Sequence, residues 1–142
     1  MNNDLTLTIS VSINASKSNV WNALTEPEQI KKYLYGTETV TDWKVGSPIT
    51  FSGVWEGKAY QDKGTILQIE KEKILKYNYW SSFSGTEDKS ENYANIMYFI
   101  EEQNGQTIFT IIQDGIKTPE ARDHSEQNWK VVMNSLKELL EK

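Results

Sequence analysis

The sequence predicts an α+β fold in which a curved antiparallel sheet of about seven strands wraps around one long C-terminal helix. Three observations support this fold. The chain opens with strict alternation of apolar and polar residues, its middle holds short strand-like segments separated by turn residues, and its end carries a continuous apolar stripe at helical spacing. At 142 residues the chain has the length of one domain, so we expect a single domain over residues 1–142.

The N-terminal part predicts a strand followed by two short helices. Alternate positions are apolar, which is typical of a strand with one buried face: Leu5, Leu7, Ile9, Val11 and Ile13. Ser16 is placed to cap a first helix whose apolar side chains fall on one side: Val20, Trp21 and Leu24. Thr25 and Glu28 have the spacing of a capping box, which predicts a second helix to about Leu34 with Gly36 as its left-handed stop.

The middle of the chain predicts six further strands, joined mostly as a meander. Turn residues such as Gly and Asn separate alternating segments near 38–43, 48–56, 58–70, 73–80, 91–101 and 106–113. A flat sheet cannot wrap around a helix, so the fold requires twist and local bulges. We expect the bulges at Gly53, Gly57 or Gly64.

The C-terminal segment predicts a long amphipathic helix. Thr118 and Pro119 have the residue types of an N-cap and a first helical position. The apolar side chains that follow repeat at helical spacing and form one stripe: Trp129, Val132, Met133, Leu136, Leu139 and Leu140. We expect this stripe to lie on the concave face of the sheet.

Three segments carry a resemblance to a known family. They are the Val-Trp-x-Ala-Leu-Thr-x-Pro-Glu run at 20–28, the Gly-x-Thr at 105–107, and the helix over 129–140. Over nearly its whole length the chain resembles the START-like (SRPBCC) superfamily, in the branch of heat-shock protein 90 ATPase activator homologues. The resemblance implies a helix-grip fold that encloses an apolar pocket. Two positions depart from the family pattern, Asn128 in place of Gly and Gln113 in place of His, and we expect both to reshape the pocket.

Composition excludes several classes of function. The formal net charge is −5, with no basic patch that would bind a phosphate backbone, so we expect no nucleic-acid partner. The absence of cysteine excludes disulfides and thiolate metal sites and fits a reducing cytoplasm. The N-terminus shows no signal-peptide pattern and no stretch is apolar enough to cross a membrane. We therefore expect a soluble cytoplasmic protein.

Aromatic residues are numerous, with five Trp, seven Tyr and four Phe. They either fill the core or line a ligand pocket, and buried tyrosines favour a pocket because each hydroxyl needs a hydrogen-bond partner. Helped by the family resemblance, we predict a pocket between the sheet and the C-terminal helix. Its expected ligand-binding residues are Trp43, Phe51, Trp55, Tyr60, Tyr77, Tyr79, Tyr98, Phe109, Trp129 and Met133.

Catalytic and metal-binding patterns are weak in this sequence. His124 is the single histidine, and we expect it on the surface rather than in a catalytic or metal site. Glu56, Asp62, Glu70 and Asp114 lie on or beside strands, where they are either solvent-facing charges or a cavity carboxylate that could act as a general base. No nucleophile motif, phosphate loop or metal-ligand spacing occurs, so we predict neither a metal nor a cofactor.

The sequence thus predicts a protein that binds a small hydrophobic or aromatic ligand without catalysis. Two alternatives remain. The resemblance implies a chaperone-linked interaction module with the ninety-kilodalton heat-shock protein as partner, and a strand-borne carboxylate would suit an enzyme of the cyclase or isomerase type. A homodimer is also left open.

Overall fold

The computed structural model describes residues 5–34, 36–81 and 87–141, with the side chain of Trp55 also outside the described part. Its elements in chain order are β1 (Leu5–Ile13), α1 (Lys17–Thr25), α2 (Pro27–Tyr33), β2 (Glu38–Val40), β3 (Pro48–Trp55), β4 (Lys58–Glu70), β5 (Ile74–Tyr79), a short 3₁₀ helix (Ser90–Asn92), β6 (Ala94–Gln103), β7 (Gln106–Ile116) and α3 (Pro119–Leu140).

The seven strands form one antiparallel sheet in the order β1-β7-β6-β5-β4-β3-β2. From β2 to β7 each strand pairs with the next one along the chain, as a meander requires, and β1 then pairs with β7. The first and last strands are therefore neighbours at one side of the sheet. This arrangement confirms the predicted seven-stranded antiparallel sheet.

The sheet bends along β4. The first part of this strand pairs with β3 as far as Thr65, and its last part pairs with β5 from Ile66, with a shift of register before Gln68. Gly64 lies at the bend against the backbone of Asn78, where an added Cβ would stand 1.7 Å from the Asn78 carbonyl oxygen. Only a residue without a side chain fits such a close approach of two strands.

The expectation of a bulge at Gly53, Gly57 or Gly64 is wrong, because none of the three glycines carries one. The pairing of β3 with β4 runs from Pro48 to Trp55 without a register shift, and Gly57 lies in the connecting turn with a φ of +80°. The observed shifts lie within β4 and near the start of β1, between Leu5 and Leu7. A glycine in a strand pattern thus marked close approach at Gly64 and a turn at Gly57, not an extra residue in the ladder.

α3 packs on one face of the sheet, with contacts to β1, β7 and the two short helices. The stripe predicted from sequence is buried at its centre, at Val132, Met133 and Leu136. At the end of the helix, Lys137 Nζ donates to the carbonyl of Ser12 at 2.8 Å, and Glu141 accepts from the backbone N–H of Asn14 at 2.8 Å. The apolar stripe and these two polar contacts hold α3 across the sheet.

The remaining core comes from one face of the sheet and from α1 and α2. Alternate side chains of β3, β5, β6 and β7 are buried on this face, at Ile49, Phe51, Leu75, Tyr77, Ile96, Ile100, Phe109 and Ile111. Val20, Trp21 and Leu24 of α1 join the same cluster, and Tyr33 of α2 donates its buried hydroxyl to the carbonyl of Ala23 at 2.8 Å. The two short helices therefore close one end of the sheet.

Helix caps and strand ends give the local corrections. Ser16 and Thr118 cap α1 and α3 as predicted, and Gly36 has the expected left-handed φ of +74°. The capping box at α2 is wrong, because the helix begins after Glu26 without a side-chain cap and the hydroxyl of Thr25 donates back to the carbonyl of Trp21. A threonine hydroxyl can bond a carbonyl four residues earlier, and here that bond prevails.

Three strand boundaries also differ from the prediction. β2 ends at Val40 and not at 43, because Trp43 takes a left-handed φ of +62° that no strand allows. β6 begins at Ala94, after the 3₁₀ turn at 90–92, and β7 continues to Ile116. Within the described residues, no helix combines the length and the apolar character needed to cross a bilayer.

Candidate functional site

A cavity of about 490 Å³ lies between the sheet and α3. Its volume falls within the range of about 300–1,000 Å³ that is typical of small-molecule sites. The described residues that line it are Leu34, Thr37, Phe51, Tyr60, Asp62, Tyr77, Tyr79, Ser81, Ile96, Tyr98, Gln113, His124, Ser125, Asn128 and Trp129.

Two layers of the fold supply this lining. Five consecutive strands, β3 to β7, contribute side chains from their inward face, because alternate residues of a strand point to the same side. The opposite wall comes from the N-terminal half of α3, whose lining residues recur at helical spacing: His124, Ser125, Asn128 and Trp129. The C-terminal half of α3 packs into the core instead. The cavity therefore occupies the part of the interface between sheet and helix that lies beside the N-terminal half.

Aromatic rings form a continuous series along the cavity wall. Phe51 contacts the rings of Tyr77 and Tyr79 at centroid distances of 5.7 and 5.8 Å. Tyr98 meets Tyr77 at 5.6 Å and Trp129 at 6.1 Å, both edge to face. Edge-to-face packing is the favourable geometry for such rings, so the series holds the cavity wall in one arrangement.

The tyrosine hydroxyls of the wall have partners within the protein. Those of Tyr77 and Tyr98 lie 2.9 Å apart, and that of Tyr60 lies 2.6 Å from the hydroxyl of Thr37. Tyr79 donates to the carboxylate of Asp62. A hydroxyl can donate one hydrogen bond and accept two, so these groups retain capacity to accept from a bound molecule.

Burial keeps the phenols of the cavity protonated. It raises the pKa of Tyr98 to about 12, and it raises the pKa of Tyr77 well above its ordinary value, with the neighbouring Tyr98 as a further cause. The pKa of Tyr79 is raised first by burial and then by the charge of Asp62 and their hydrogen bond. At neutral pH all three side chains are therefore hydrogen-bond donors.

Asp62 is the carboxylate that faces the cavity. Its side chain is buried, with 8% of the residue exposed, and β3–β4 pairing sets it directly opposite Phe51. The other three strand-borne acids considered from sequence lie elsewhere: Glu56 in the exposed β3–β4 turn, Glu70 exposed at the end of β4, and Asp114 accepting from the backbone N–H of Asn95 at 2.6 Å. The structure thus selects one acid out of four.

The predicted ligand-binding residues divide into three groups. Six of them line the cavity: Phe51, Tyr60, Tyr77, Tyr79, Tyr98 and Trp129. Phe109 and Met133 are buried in the core outside the lining, and Trp43 borders a separate void of about 10 Å³ that is too small for a ligand. Trp55 lies on β3 with its side chain outside the described residues.

His124 is exposed, as predicted, but it stands at the cavity mouth on α3. In the described ranges no three His, Asp or Glu side chains are grouped so that they could hold a metal ion. Ser125, a polar residue of the helix wall, was not singled out from sequence. It precedes Trp129 by four residues and therefore lies on the same helix face, and that signal could have found it.

The departures from the family pattern meet in this cavity. Gln113 is the residue of β7 in the described lining, and it accepts a hydrogen bond from Trp129 Nε1 at 2.7 Å, which fixes the indole against the sheet. Asn128 lines the wall beside Trp129.

Comparison with known proteins identifies the family. The model of the family described as "Activator of Hsp90 ATPase homolog 1-like protein" matches residues 14–141. The chain belongs to this family. The resemblance to the START-like, activator-homologue branch is thereby confirmed. A comparison with curated proteins gave no match.

Solved structures share this family's fold. ChR145 from Cytophaga hutchinsonii is 41% identical, with a TM-score of 0.84 over 96% of this chain and 94% of that chain. The Aha1 dimer from Colwellia psychrerythraea is 19% identical, with a TM-score of 0.76 and 96% of each chain covered. CalU16 from Micromonospora echinospora is 16% identical, with a TM-score of 0.73 over 92% of this chain and 73% of that chain. The last two share the fold alone.

Proposed function

We propose that this family member binds one small hydrophobic or aromatic molecule in the cavity between the sheet and α3. The observation that carries the proposal is the 490 Å³ space bordered by aromatic rings on the sheet side and by Trp129 on the helix side. Burial of ligand carbon would supply most of the affinity, at about 25 cal/mol per Å². The hydroxyls of the wall would orient the molecule.

Binding of a neutral fluorescent dye, N-phenylnaphthylamine, tests the proposal. We expect saturable binding of one dye per chain and a rise in Tm with dye concentration, because a ligand that binds the folded state stabilises it. Ser125→Trp places a large ring in the cavity from α3 and should weaken binding by about tenfold or more, which is about 1.4 kcal/mol.

The matched control is Gln127→Trp. Gln127 is exposed on the same helix and does not belong to the lining, so the same ring added there should leave dye affinity within about twofold. Absence of saturable binding to the unmodified protein would remove the proposal. Equal weakening by the two variants would place the dye outside the cavity.

Proton transfer by Asp62 is a second candidate function. The buried position of this carboxylate at the cavity wall favours it, since a base must reach the bound molecule to act. A ligand that exchanges a carbon-bound hydrogen for deuterium in heavy water, with the unmodified protein but not with Asp62→Asn, would support catalysis. Equal exchange with both proteins would count against it.

The family description favours a third candidate, a chaperone-linked interaction module. The match to the activator-homologue model covers 14–141, and the Colwellia protein of the same fold is an Aha1 dimer. Stimulation of the ATPase of the ninety-kilodalton chaperone by the purified protein would support this role. An unchanged ATPase rate at saturating protein would leave it without support.

A further inference from the structure

Asp62 stands among aromatic rings of neighbouring strands. Phe51 is its direct partner across the β3–β4 ladder, and cross-strand partners hold their Cβ atoms about 5 Å apart on the same face. Tyr60 precedes it by two residues and so shares that face, while Tyr79 on β5 donates its hydroxyl to the carboxylate. All four residues line the cavity, so its sheet wall combines a negative group with aromatic rings.

The described lining of the cavity contains a negatively charged residue type but no lysine or arginine. Among the described residues that border the cavity, Asp62 is the one carboxylate, and neither Lys nor Arg occurs. The remaining titratable groups there are His124, which is exposed at the mouth, and four tyrosines, of which Tyr77, Tyr79 and Tyr98 have raised pKa values and stay neutral phenols. Lys63, the residue after Asp62, points to the other face of β4 and forms an ion pair with Asp88. The formal charge of the described lining is therefore negative.

A ligand's charge therefore decides how well it fits. An anionic group would lie beside Asp62 with fewer water molecules to screen the repulsion, whereas a cationic group would be attracted to it. Hydrogen bonds between an ammonium and a carboxylate are about twice as strong as neutral ones, and a carboxylate can accept several hydrogen bonds at once. The faces of aromatic rings attract cations as well.

We infer that the cavity selects ligands in which an aromatic or apolar body carries a cationic amine, with the amine at Asp62 and the body between the rings and α3. This inference rests on the proposed function and adds the chemical class of the ligand. It also gives the carboxylate a binding role that requires no reaction.

Three probes with the same ring and different charge test the inference: tryptamine, tryptophol and indoleacetate. Their affinities are measured by isothermal calorimetry at neutral pH and low salt. We expect tryptamine to bind about tenfold more tightly than the neutral tryptophol, and indoleacetate to bind more weakly than both. Added salt should narrow the differences, since screening weakens the interaction between charges.

Two variants locate the effect. Asp62→Asn keeps the shape of the side chain and an acceptor for Tyr79 but removes the charge, so tryptamine should lose about tenfold in affinity while tryptophol changes by less than about twofold. Tyr79→Phe removes the hydroxyl and keeps the charge, so the preference for tryptamine should persist. Circular dichroism and Tm establish that both variants are folded.

The outcomes separate the inference from the proposed function. Equal binding of the three probes by the unmodified protein would overturn the cationic preference while the cavity kept its binding role. Preference for tryptamine that survives Asp62→Asn would also overturn it, because the charge would then act elsewhere. If none of the probes binds and the neutral dye also fails, both the inference and the proposed function fall.

Discussion

At the scale of single residues, two glycines in the β3–β4 region have different neighbours. Gly64 faces the backbone of Asn78, and Gly53 faces the ring end of Tyr60, whose hydroxyl would stand 2.7 Å from an added Cβ. A backbone oxygen inside a ladder cannot move without breaking strand pairing, whereas a side chain can rotate away. The bend of the sheet therefore depends on Gly64 and not on Gly53.

Gly64→Ala should destabilise the protein by about 2 kcal/mol or more, measured as the free energy of unfolding in urea, because the added methyl group overlaps the carbonyl of Asn78. Gly53→Ala is the control and should cost less than about 1 kcal/mol, since Tyr60 can shift and alanine suits a strand better than glycine. Similar costs for the two variants would contradict a special role of Gly64 in the bend.

At the scale of elements, α3 has two functions along its length. Its C-terminal half buries Leu136 completely, and its N-terminal half presents Ser125, Asn128 and Trp129 to the cavity. One helix thus supplies both core packing and one wall of the cavity. The change occurs around Trp129, which is half-buried and hydrogen-bonded to Gln113.

Truncating a core residue of α3 and truncating a cavity residue of α3 should lower the free energy of unfolding by different amounts. Leu136→Ala leaves a new void in a packed region and should lower the free energy of unfolding by about 2–5 kcal/mol. Trp129→Ala enlarges a space that already exists. We therefore expect it to lower the free energy of unfolding by about 1–2 kcal/mol, although the indole is larger than the leucine side chain. Thermal or urea unfolding measures both, and a loss at Trp129 equal to that at Leu136 would show that the indole is core.

The helices and strands are the features of the structure that the sequence predicts best. Alternation of apolar residues predicted the strands and helical spacing predicted the stripe of α3, because each period places the buried residues on one face of its element. The capping box at Thr25 failed because a local hydroxyl bond competed with it, and β2 ended early where Trp43 takes a left-handed φ. Competing local contacts of this kind leave no distinct pattern in a single sequence.

The cavity itself could be foreseen only in part. Six of its aromatic residues were named because they lie on predicted strands or on the apolar stripe of α3, yet Phe109 and Met133 have the same patterns and lie in the core. Alternation predicts on which face of the sheet a residue lies, but it does not predict whether that residue lies against the N-terminal or the C-terminal half of α3. For the same reason Asp62 could not be separated from Glu70 before the sheet's curvature was known.

At the scale of the whole molecule, the buried tyrosines make the stability of the fold depend on pH in the alkaline range. In the folded protein the pKa of Tyr98 is raised from its ordinary value of 10.0 to about 12, and those of Tyr77 and Tyr79 are also raised. The folded state therefore holds protons that the unfolded chain releases from about pH 10 upward. The stabilising effect of Tyr98 is complete below about pH 10 and is lost as the pH rises through about 12.

The unfolding midpoint in urea should accordingly fall between about pH 10 and 12, while phenolate absorbance of the folded protein lags behind that of the unfolded chain. Tyr98→Phe removes one of these groups and should make this fall less steep, with the other tyrosines of raised pKa accounting for what remains. A cavity ligand that excludes water should make the fall of the unfolding midpoint steeper, because a bound molecule further opposes ionisation of the tyrosines in the cavity wall. A midpoint that stays constant to pH 12, or a slope unaffected by Tyr98→Phe, would show that these phenols are open to solvent, and a wall so open could not bury a ligand.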